Sequence, residues 1–369
     1  MSDLKKGLTK EDLNKITEAG VELDSHKKTY FLSNGSFDIP QENKDENVIL
    51  LPIQEALEKH PFIKEKYWWK LISPDKDEYT KLASQELDGG YFIHVKKGHK
   101  ENMPLQACFY IKESYYKQKV HNIIILEEGA ELHIINGCVS SHGSDKGQHL
   151  GITEIYLEKG AFLSYSMVHN WNESTEVFPR SAMKLGEDSQ FISNYIALKP
   201  TKIVQSYPTV YVGKNAKASL NSIIYSHSNS VYDVGGRAVL EAEGARAEIN
   251  SRSVSSGGDI IARAHINSKS DKTFGHMECS SLMLNKKGKV HAIPELESNS
   301  HDVVLSHEAM VGKIADEEIF YLMSRGLSEK DAVSLIVQGF LNIDIKGLPE
   351  VIKEQINQTL KLLENSNGI

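Results

Sequence analysis

The segments LEEGAELHI at 126–134, LEKGAFLSY at 157–165 and LEAEGARAEI at 240–249 share one pattern, and that pattern decides the fold. In each segment one strand ends, a turn built on Gly-Ala follows, and a second strand begins. Comparable turns at 188–189 and 215–216 extend the series, so turns recur at residues 129, 160, 188, 215 and 244, in steps of 31, 28, 27 and 29 residues. A degenerate repeat of this length is typical of coils stacked on one another.

The region 122–270 contains short runs rich in β-branched residues, such as NIIIL, EIYL, TVYV and AVLEA, which alternate with turn residues. A single coil cannot bury both its faces, whereas stacked coils share a continuous core and need caps only at the two ends. Because parallel strand connections are right-handed, these features predict a mainly β fold with a right-handed parallel β-helix core. An antiparallel sandwich is the alternative, since the strand lengths suit either fold.

The N-terminal flank of this region carries helical patterns. Thr9 followed by Asp12 resembles an N-cap with an acidic third residue, and predicts a short helix to about residue 17. A second helical stretch covers 53–69, and Pro61 is expected to interrupt it.

The C-terminal flank is also helical. One helix is predicted over 316–325, closed by Gly326, a second begins at Ser328, and a third amphipathic helix covers 349–363. Most apolar positions of these helices are expected to pack on the β-helix. The predicted organisation is an N-terminal helical and mixed region at 1–87, a parallel β-helix core at 88–310 and a C-terminal helical domain at 311–369.

Composition excludes some classes of function. Of the 369 residues, 40% are hydrophobic and 25% charged, which is ordinary for a soluble globular protein. The formal net charge of −8 and the lack of a long Lys/Arg run argue against a nucleic-acid-binding protein. Since no apolar stretch approaches the roughly twenty residues of a bilayer-spanning helix, and the first residues lack an apolar signal core, we expect a cytoplasmic protein that does not associate with membranes.

The cysteine count and the lack of a nucleotide-binding motif limit the reactions expected of this chain. The three cysteines, Cys108, Cys138 and Cys279, are an odd number spread far apart, which fits a reducing compartment better than a disulfide framework. No GxxxxGK[ST] phosphate loop occurs, so this chain is not expected to hydrolyse nucleotides.

The string SHEAMVGKIADEEIFYLMSRGLSEKDAVSLIVQGF at 306–340 resembles the C-terminal signature of the SufB/SufD family, the scaffold subunits of the SUF iron–sulfur cluster assembly machinery. Upstream, DGGYFIHVKKGHKENMPLQACFYI at 88–111, the pair at 137–138 and HNW at 169–171 are similar to that family in order and spacing. The resemblance covers roughly 88–340.

The resemblance implies the same parallel β-helix fold and a scaffold that is not itself an enzyme. It also implies a transient, nascent iron–sulfur cluster, with a flavin as an open possibility. The implied partners are an ABC-type ATPase subunit, SufC, docked on the C-terminal helices, and a second copy of the chain or a related SufB/SufD-type subunit.

Cys279 in GHMECSSLMLN is expected on or beside a late strand, because polar and apolar residues alternate there. In the SufB branch, a cysteine at this position is proposed to receive persulfide sulfur or to bind the nascent cluster. A thiolate suits both tasks, since it is a soft iron ligand and a good nucleophile. The alternative is a small buried apolar residue.

His307 and Glu308 are the second predicted site, because the SHEA or SHGA element of the family supplies a histidine to the interface between the scaffold subunits. Imidazole and carboxylate can both bind iron. Adjacent residues of a strand point to opposite faces, so both serve one cluster only if the chain bends or a second subunit provides the other face. The alternatives are an electrostatic role near the N-terminus of the following helix and a histidine satisfied by the backbone.

Cys138 is the third candidate, because the matching family cysteine lies inside the β-helix on a proposed path for sulfur. A buried cysteine beside a turn is equally compatible with the residues. The following segment, His142 to His149, is interpreted as a solvated loop rather than a metal site, and Cys108 as a core residue.

Three positions depart from the family pattern. Tyr110 and His169 stand where SufB proteins commonly have Arg and Gln, and Leu305 stands where SufD-like chains often have Cys. The departures at Tyr110 and His169 argue against the internal path for sulfur that the family implies. Cys279 and Glu308 are SufB-like, and together with an abbreviated N-terminal region they favour a SufB-like subunit that pairs with itself. The competing classes are a structural adaptor for the ATPase and a carbohydrate-active β-helix enzyme, which would need an exposed carboxylate set on neighbouring coils.

Overall fold

The computed structural model describes residues 7–23, 28–38, 45–341 and 354, and within them lie 21 strands and six helices. The strands are β1 Thr29–Ser33, β2 Ser36–Asp38, β3 Val48–Pro52, β4 Tyr91–Val95, β5 Leu105–Ile111, β6 Lys117–Leu126, β7 Glu131–Ser140, β8 Gln148–Leu157, β9 Phe162–Asn170, β10 Glu176–Val177, β11 Arg180–Leu185, β12 Gln190–Ala197, β13 Ile203–Ser206, β14 Thr209–Val212, β15 Lys217–His227, β16 Val231–Leu240, β17 Arg246–Ser256, β18 Asp259–Ser268, β19 Thr273–Met283, β20 Val290–Ser298 and β21 Val303–Gly312. The helices are α1 Lys10–Glu18, α2 Ile53–Lys59, α3 Phe62–Lys66, α4 Glu78–Gln85, α5 Asp316–Ser324 and α6 Glu329–Leu341.

The strands form two facing sheets. The first sheet has the order β2-β1-β5-β7-β9-β12-β15-β17-β19-β21. The second contains β10, β13, β16, β14, β11, β8, β6, β4 and β3, with β18 and β20 added beside β16. Neighbouring strands are parallel, except for β1–β2 and β3–β4. The chain passes from one sheet to the other and back, forming a β-solenoid of about eight turns, which confirms the predicted parallel β-helix and rules out the sandwich.

The predicted repeat turns have a common backbone conformation. The residues Gly129, Gly160, Asp188, Asn215 and Gly244 have φ of 68°, 65°, 58°, 54° and 75°. This left-handed conformation is open to glycine without a steric cost and is tolerated by Asn and Asp. The need for positive φ once per coil therefore explains which residue types mark the repeat.

Two apolar clusters surround the first sheet. The interior core lies between the two sheets and includes Leu132, Leu163 and Ile249. The outer cluster lies on the opposite face of the first sheet, where Val21, next to α1, and Val333 of α6 pack against residues of the strands. The outer face of the second sheet is covered near its N-terminal end by α2, α3 and α4.

The two ends of the solenoid differ. At the N-terminal end, β1 and β3 are largely buried, and Tyr30 and Leu50 contribute to the interior core. At the C-terminal end, most residues of β20 and β21 are exposed, including Val304 at 60% and Val311 at 44%. Among the described residues, no element covers this last coil, so the solenoid is capped at one end and open at the other.

The N-terminal helical predictions are confirmed. Thr9 and Asp12 form a capping box at the start of α1, and the stretch 53–69 is divided at Pro61 into α2 and α3. Helix α4 was not predicted, although Asp77 and Thr80 form a capping box at its start.

At the C-terminal side, α5 is followed by Gly326 with φ of 99°, and Ser328 caps the start of α6 by accepting from the backbone N–H of Asp331 at 3.2 Å. The third predicted helix, 349–363, falls outside the described residues. None of the described helices has the length and apolar character needed to cross a bilayer.

Candidate functional site

Cys279 lies in the solenoid interior near the open end. It is fully buried on β19 and belongs to the interior core. Its register partners are Ser251 on β17 and Ala309 on β21, the final strand of the first sheet. A single exposed strand therefore separates this thiol from the end of the solenoid.

Burial controls the chemistry of this thiol. It raises the pKa of Cys279 to about 11, and the negative charge of Glu278 contributes in the same direction. At neutral pH the thiol is therefore protonated and a poor nucleophile. To bind a metal it has to lose its proton, which is easier when the last coil opens and water reaches the sulfur.

His307 shares the inner face with Cys279. It pairs in register with Met277, two residues before Cys279 on β19, and Leu305 on the same face of β21 packs against the interior core. His307 is exposed, and no coil within the described ranges covers β21. The register thus places an accessible imidazole and a buried thiol on neighbouring strands and on one face.

Glu308 points the other way. It pairs in register with Glu278 on the outer face of the first sheet, and β21 is continuous from Val303 to Gly312. Because side chains alternate along a strand, Glu308 diverges from His307. Of the three residues predicted here, Cys279 and His307 therefore share one face of neighbouring strands, two register positions apart, and Glu308 lies on the opposite face.

Cys138 is also buried in the interior core, but far from the open end. It lies on β7, five strand positions before β19 in the first sheet, so the two cysteines are roughly 24 Å apart. Asn136 donates from Nδ2 to the sulfur at 3.2 Å, and burial raises the pKa of the Cys138 thiol. Any exchange between the two thiols would need a carrier or a path.

Two buried histidines lie near Cys138. His169 is its register partner on β9 and contacts the hydroxyl of Tyr195 through Nδ1 at 3.0 Å. His149 contacts the side chain of Gln118 through Nδ1 at 3.0 Å. Both imidazoles pack against Trp171, with ring centroids 5.1 Å away for His149 and 5.8 Å away for His169. Burial lowers the pKa of each histidine to about 3, so both are neutral at physiological pH.

The interpretation of His149 as part of a solvated loop was wrong. Only His142 is exposed, whereas His149 is the second residue of β8 and is buried. The strand was missed because QHLGITEIYL begins with polar residues and contains a glycine. Only the pairing register with β6 shows which side chains of β8 point into the solenoid.

An internal cavity of about 60 Å³ lies between the levels of the two cysteines. One row of the first sheet runs along it in register, through Met167, Tyr195, Ser222 and Ser251, and reaches Cys279. Ser222 donates to Ser251 at 3.0 Å. Such a volume and lining can hold several water molecules, and sequence reasoning missed it because its walls come from different coils.

Two other groups have structural explanations. Cys108, as predicted, is a core residue, buried in the outer cluster. Asp45, His99 and Glu101 have ligand atoms close enough for a metal ion, but Lys28 Nζ is 2.7 Å from both Asp45 and Glu101. This lysine already supplies the positive charge, and we interpret the group as an ion-pair cluster.

Helix α5 presents an uncovered apolar surface. None of its residues is buried, and Phe320, Tyr321 and Met323 are 66%, 59% and 38% exposed. In contrast, α6 buries Ala332, Val333, Val337 and Leu341. Packing on the β-helix therefore accounts for the apolar face of α6 and for Ile319 of α5. It does not account for Phe320 and Tyr321, and exposed aromatic clusters mark interaction sites.

This chain is similar to known protein families and to individual proteins over most of its length. A family model described as SUF system FeS cluster assembly, SufBD core domain, matches residues 109–340, and the SufBD protein N-terminal region matches residues 9–107. An iron–sulfur cluster assembly SufBD family protein of Archaeoglobus fulgidus is 48% identical over 96% of this chain and 95% of its own length. Proteins of the same description from Methanothermobacter thermautotrophicus and Pyrococcus horikoshii are 42% and 35% identical, covering 86% and 87% of this chain and 78% and 72% of their own lengths.

Proposed function

The chain belongs to the SufBD family of iron–sulfur cluster assembly proteins, and we propose that it is the scaffold on which a nascent cluster is built. The observation that supports this proposal is the shared inner face of Cys279 and His307 at the open end. Thiolate and imidazole are suitable iron ligands. Opening of β21 would give iron and sulfide access to both residues.

A second subunit completes this site in the proposal. The open end exposes Val304, Met310 and Val311, and the edge of β21 can pair with another strand. The partner is a second copy of this chain or a related SufB/SufD-type subunit. A two-fold arrangement would bring two such sites close together, and the face that carries Glu308 in one subunit could then contribute to the interface.

The ATPase partner docks on α5 in this proposal. The exposed Phe320 and Tyr321 provide the apolar and aromatic contact that such an interface requires. ATP binding can shift the scaffold only if the ATPase binds its closed and open states with different affinity. The scaffold itself carries no hydrolytic step, and both subunits would work in the reducing cytoplasm, where the three cysteines stay free.

Sulfur delivery is assigned to the solenoid interior. Cys138 would accept the outer sulfur of a donor persulfide, with the donor thiolate as the leaving group. The cavity beside Tyr195, Ser222 and Ser251 would provide the route for transfer to Cys279. The neutral His169 and Trp171 occupy the interior next to Cys138 in this scheme.

Anaerobic reconstitution with iron and sulfide, together with the cognate ATPase, tests the scaffold role. Visible absorption and Mössbauer spectra of the native chain would be compared with those of Cys279→Ala and His307→Ala. Cys108→Ala is the matched control, because it removes a buried thiol from the outer cluster. We expect a cluster in the native chain and the control, and its loss in the two site variants.

Two results would contradict the proposal. An unchanged cluster yield in Cys279→Ala would exclude this thiol as a ligand. Complex formation with the ATPase but no bound iron in the native chain would favour the structural adaptor instead.

A further inference from the structure

Helix α6 touches the first sheet next to the strands that carry the candidate site. Val333, Val337 and Leu341 pack in the outer cluster, and α6 lies against β17. At the end of the helix, the ring of Phe340 lies 5.4 Å from the guanidinium carbon of Arg252 on β17. A cation at this distance from an aromatic face is attracted to it.

Arg252 also contacts the next strand. Its guanidinium forms an ion pair with Glu278 of β19, and both side chains are about one quarter exposed, at 25% and 29%. Ser280 donates from Oγ to the same carboxylate at 3.2 Å. Arg252 therefore joins α6 to the residue that immediately precedes Cys279.

The ion pair offsets a repulsion between the last two strands of the first sheet. Glu278 and Glu308 are register partners on the same face of β19 and β21, where neighbouring parallel strands are about 4.8 Å apart. Like charges in such positions oppose strand pairing. With Arg252 in place, one of the two negative charges is neutralised.

We propose that Arg252 couples α6 to the last coil, holding β21 on β19 and thereby keeping Cys279 covered as long as Phe340 stays in contact with it. Displacement of α6 would remove the ring of Phe340 from the guanidinium, which would then be held less firmly against Glu278 and would offset the repulsion between the two carboxylates less well. The end of β21 would then separate from β19 and uncover the thiol. The inference rests on the proposed function of Cys279, and it assigns Arg252 and Phe340 as positioning residues.

Thiol alkylation measures this opening directly. All three cysteines are buried, so the rate at which iodoacetamide modifies each one reports local opening, and peptide mass spectrometry resolves them. The variants are Arg252→Gln and Phe340→Leu, which retains an apolar side chain at the helix. Arg263→Gln is the matched control, because Arg263 forms a comparable ion pair with Asp233 on the second sheet.

We expect Arg252→Gln and Phe340→Leu to raise the labelling rate of Cys279 about tenfold, while Cys108 and Cys138 keep their native rates. Loss of a nearby cation disfavours the thiolate, so faster labelling cannot come from a more reactive sulfur. Adding Glu308→Gln to Arg252→Gln removes the repulsion and is expected to return Cys279 to slow labelling.

Native-rate labelling of Cys279 in Phe340→Leu would overturn the coupling to α6. Equal acceleration of all three cysteines, or equal acceleration of Cys279 by Arg263→Gln, would also overturn it, because the effect would then be general destabilisation. Labelling needs no iron, sulfide or ATPase. A failed cluster reconstitution would therefore count against the proposed function and leave the coupling standing.

Discussion

At the scale of single residues, the interior of this solenoid buries several polar groups. His149 and His169 are enclosed with Trp171 and near Cys138, and each has a specific partner. A buried imidazole without a counter-charge stays neutral, since protonation would place a charge in a medium of low polarity. The two buried histidines near Cys138 therefore make the folded state less stable in acid.

His169→Gln should reduce the acid sensitivity of the fold. The pKa of His169 is lowered from 6.5 to about 3 in the folded state, so below pH 6.5 the unfolded chain binds a proton that the folded chain does not. Stability is then lost as pH falls from 6.5 toward 3, and His169 accounts for about 2 kcal/mol of this loss at pH 5. Glutamine can still contact Tyr195 but does not titrate.

Urea unfolding at pH 7 and pH 5 measures this difference. The native chain should lose about 2 kcal/mol more than His169→Gln between the two pH values. His142→Gln serves as the control, because it makes the same exchange at an exposed histidine. An identical acid loss in the native chain and in His169→Gln would show that His169 is protonated in the folded state.

At the scale of elements, the turns between strands determine how the coils stack. A residue in the left-handed conformation turns the chain at the same corner of successive coils. Beyond the predicted series, this conformation recurs at Gly98 and Lys272, with φ of 70° and 55°. Lysine is an uncommon choice in this conformation, which is why the sequence pattern did not include that turn.

Gly160→Ala and Gly235→Ala should separate backbone strain from steric exclusion. Gly160 has φ of 65° and open space around the added Cβ, so the alanine should cost about 1 kcal/mol. A Cβ on Gly235 would lie 1.8 Å from the carbonyl oxygen of Arg263 on the neighbouring strand, and the cost should reach about 3 kcal/mol. Equilibrium unfolding measures both, and a smaller loss for Gly235→Ala than for Gly160→Ala would disprove the close approach.

Phe320→Glu should weaken the proposed docking of an ATPase partner without destabilising the scaffold. The side chain is 66% exposed on α5, so a charge there costs little in the free chain but is desolvated in an interface. We expect the dissociation constant to rise about thirtyfold, the usual scale for loss of an aromatic hot spot, with an unchanged melting temperature. Isothermal titration with the cognate ATPase measures the change.

The control for this experiment is Met103→Glu, which places the same charge at another exposed apolar residue, 53% exposed in the loop before β5. Equal affinity of Phe320→Glu and Met103→Glu would move the docking surface away from α5.

At the scale of the whole molecule, the asymmetry between the two ends of the solenoid is the dominant feature. Stacked coils bury one another, so the two end coils need separate protection. Strands β1 and β3 supply it at one end, while β20 and β21 remain exposed at the other. An unprotected edge with apolar side chains is stabilised by pairing with another chain.

Val311→Glu should therefore convert the proposed dimer into a monomer. Val311 lies on β21 at the open end and is 44% exposed. Phe37→Glu is the matched control, because Phe37 is 50% exposed on β2, the edge strand at the capped end. Light scattering should give a dimer mass for the native chain and the control. A dimer that survives Val311→Glu would place the interface elsewhere.

Much of this architecture was predictable because its causes are local. A turn that needs positive φ selects Gly, Asn or Asp at one position per coil, and that selection is visible in the printed residues. The capping box at Thr9 and the break at Pro61 likewise depend on atoms a few residues apart. The family resemblance also drew attention to Cys279 and His307.

The relations among the site residues depended on strand register, which joins positions about thirty residues apart in the chain and cannot be obtained from local preferences. Register places Cys279 and His307 on the inner face, turns Glu308 to the outer face beside Glu278, and brings Arg252 between that carboxylate and α6. Moving β21 by one residue would exchange the two faces. The coil repeat is thus set by turn chemistry in each segment, whereas the site is set by how the coils align, because only that alignment decides which side chains share an environment.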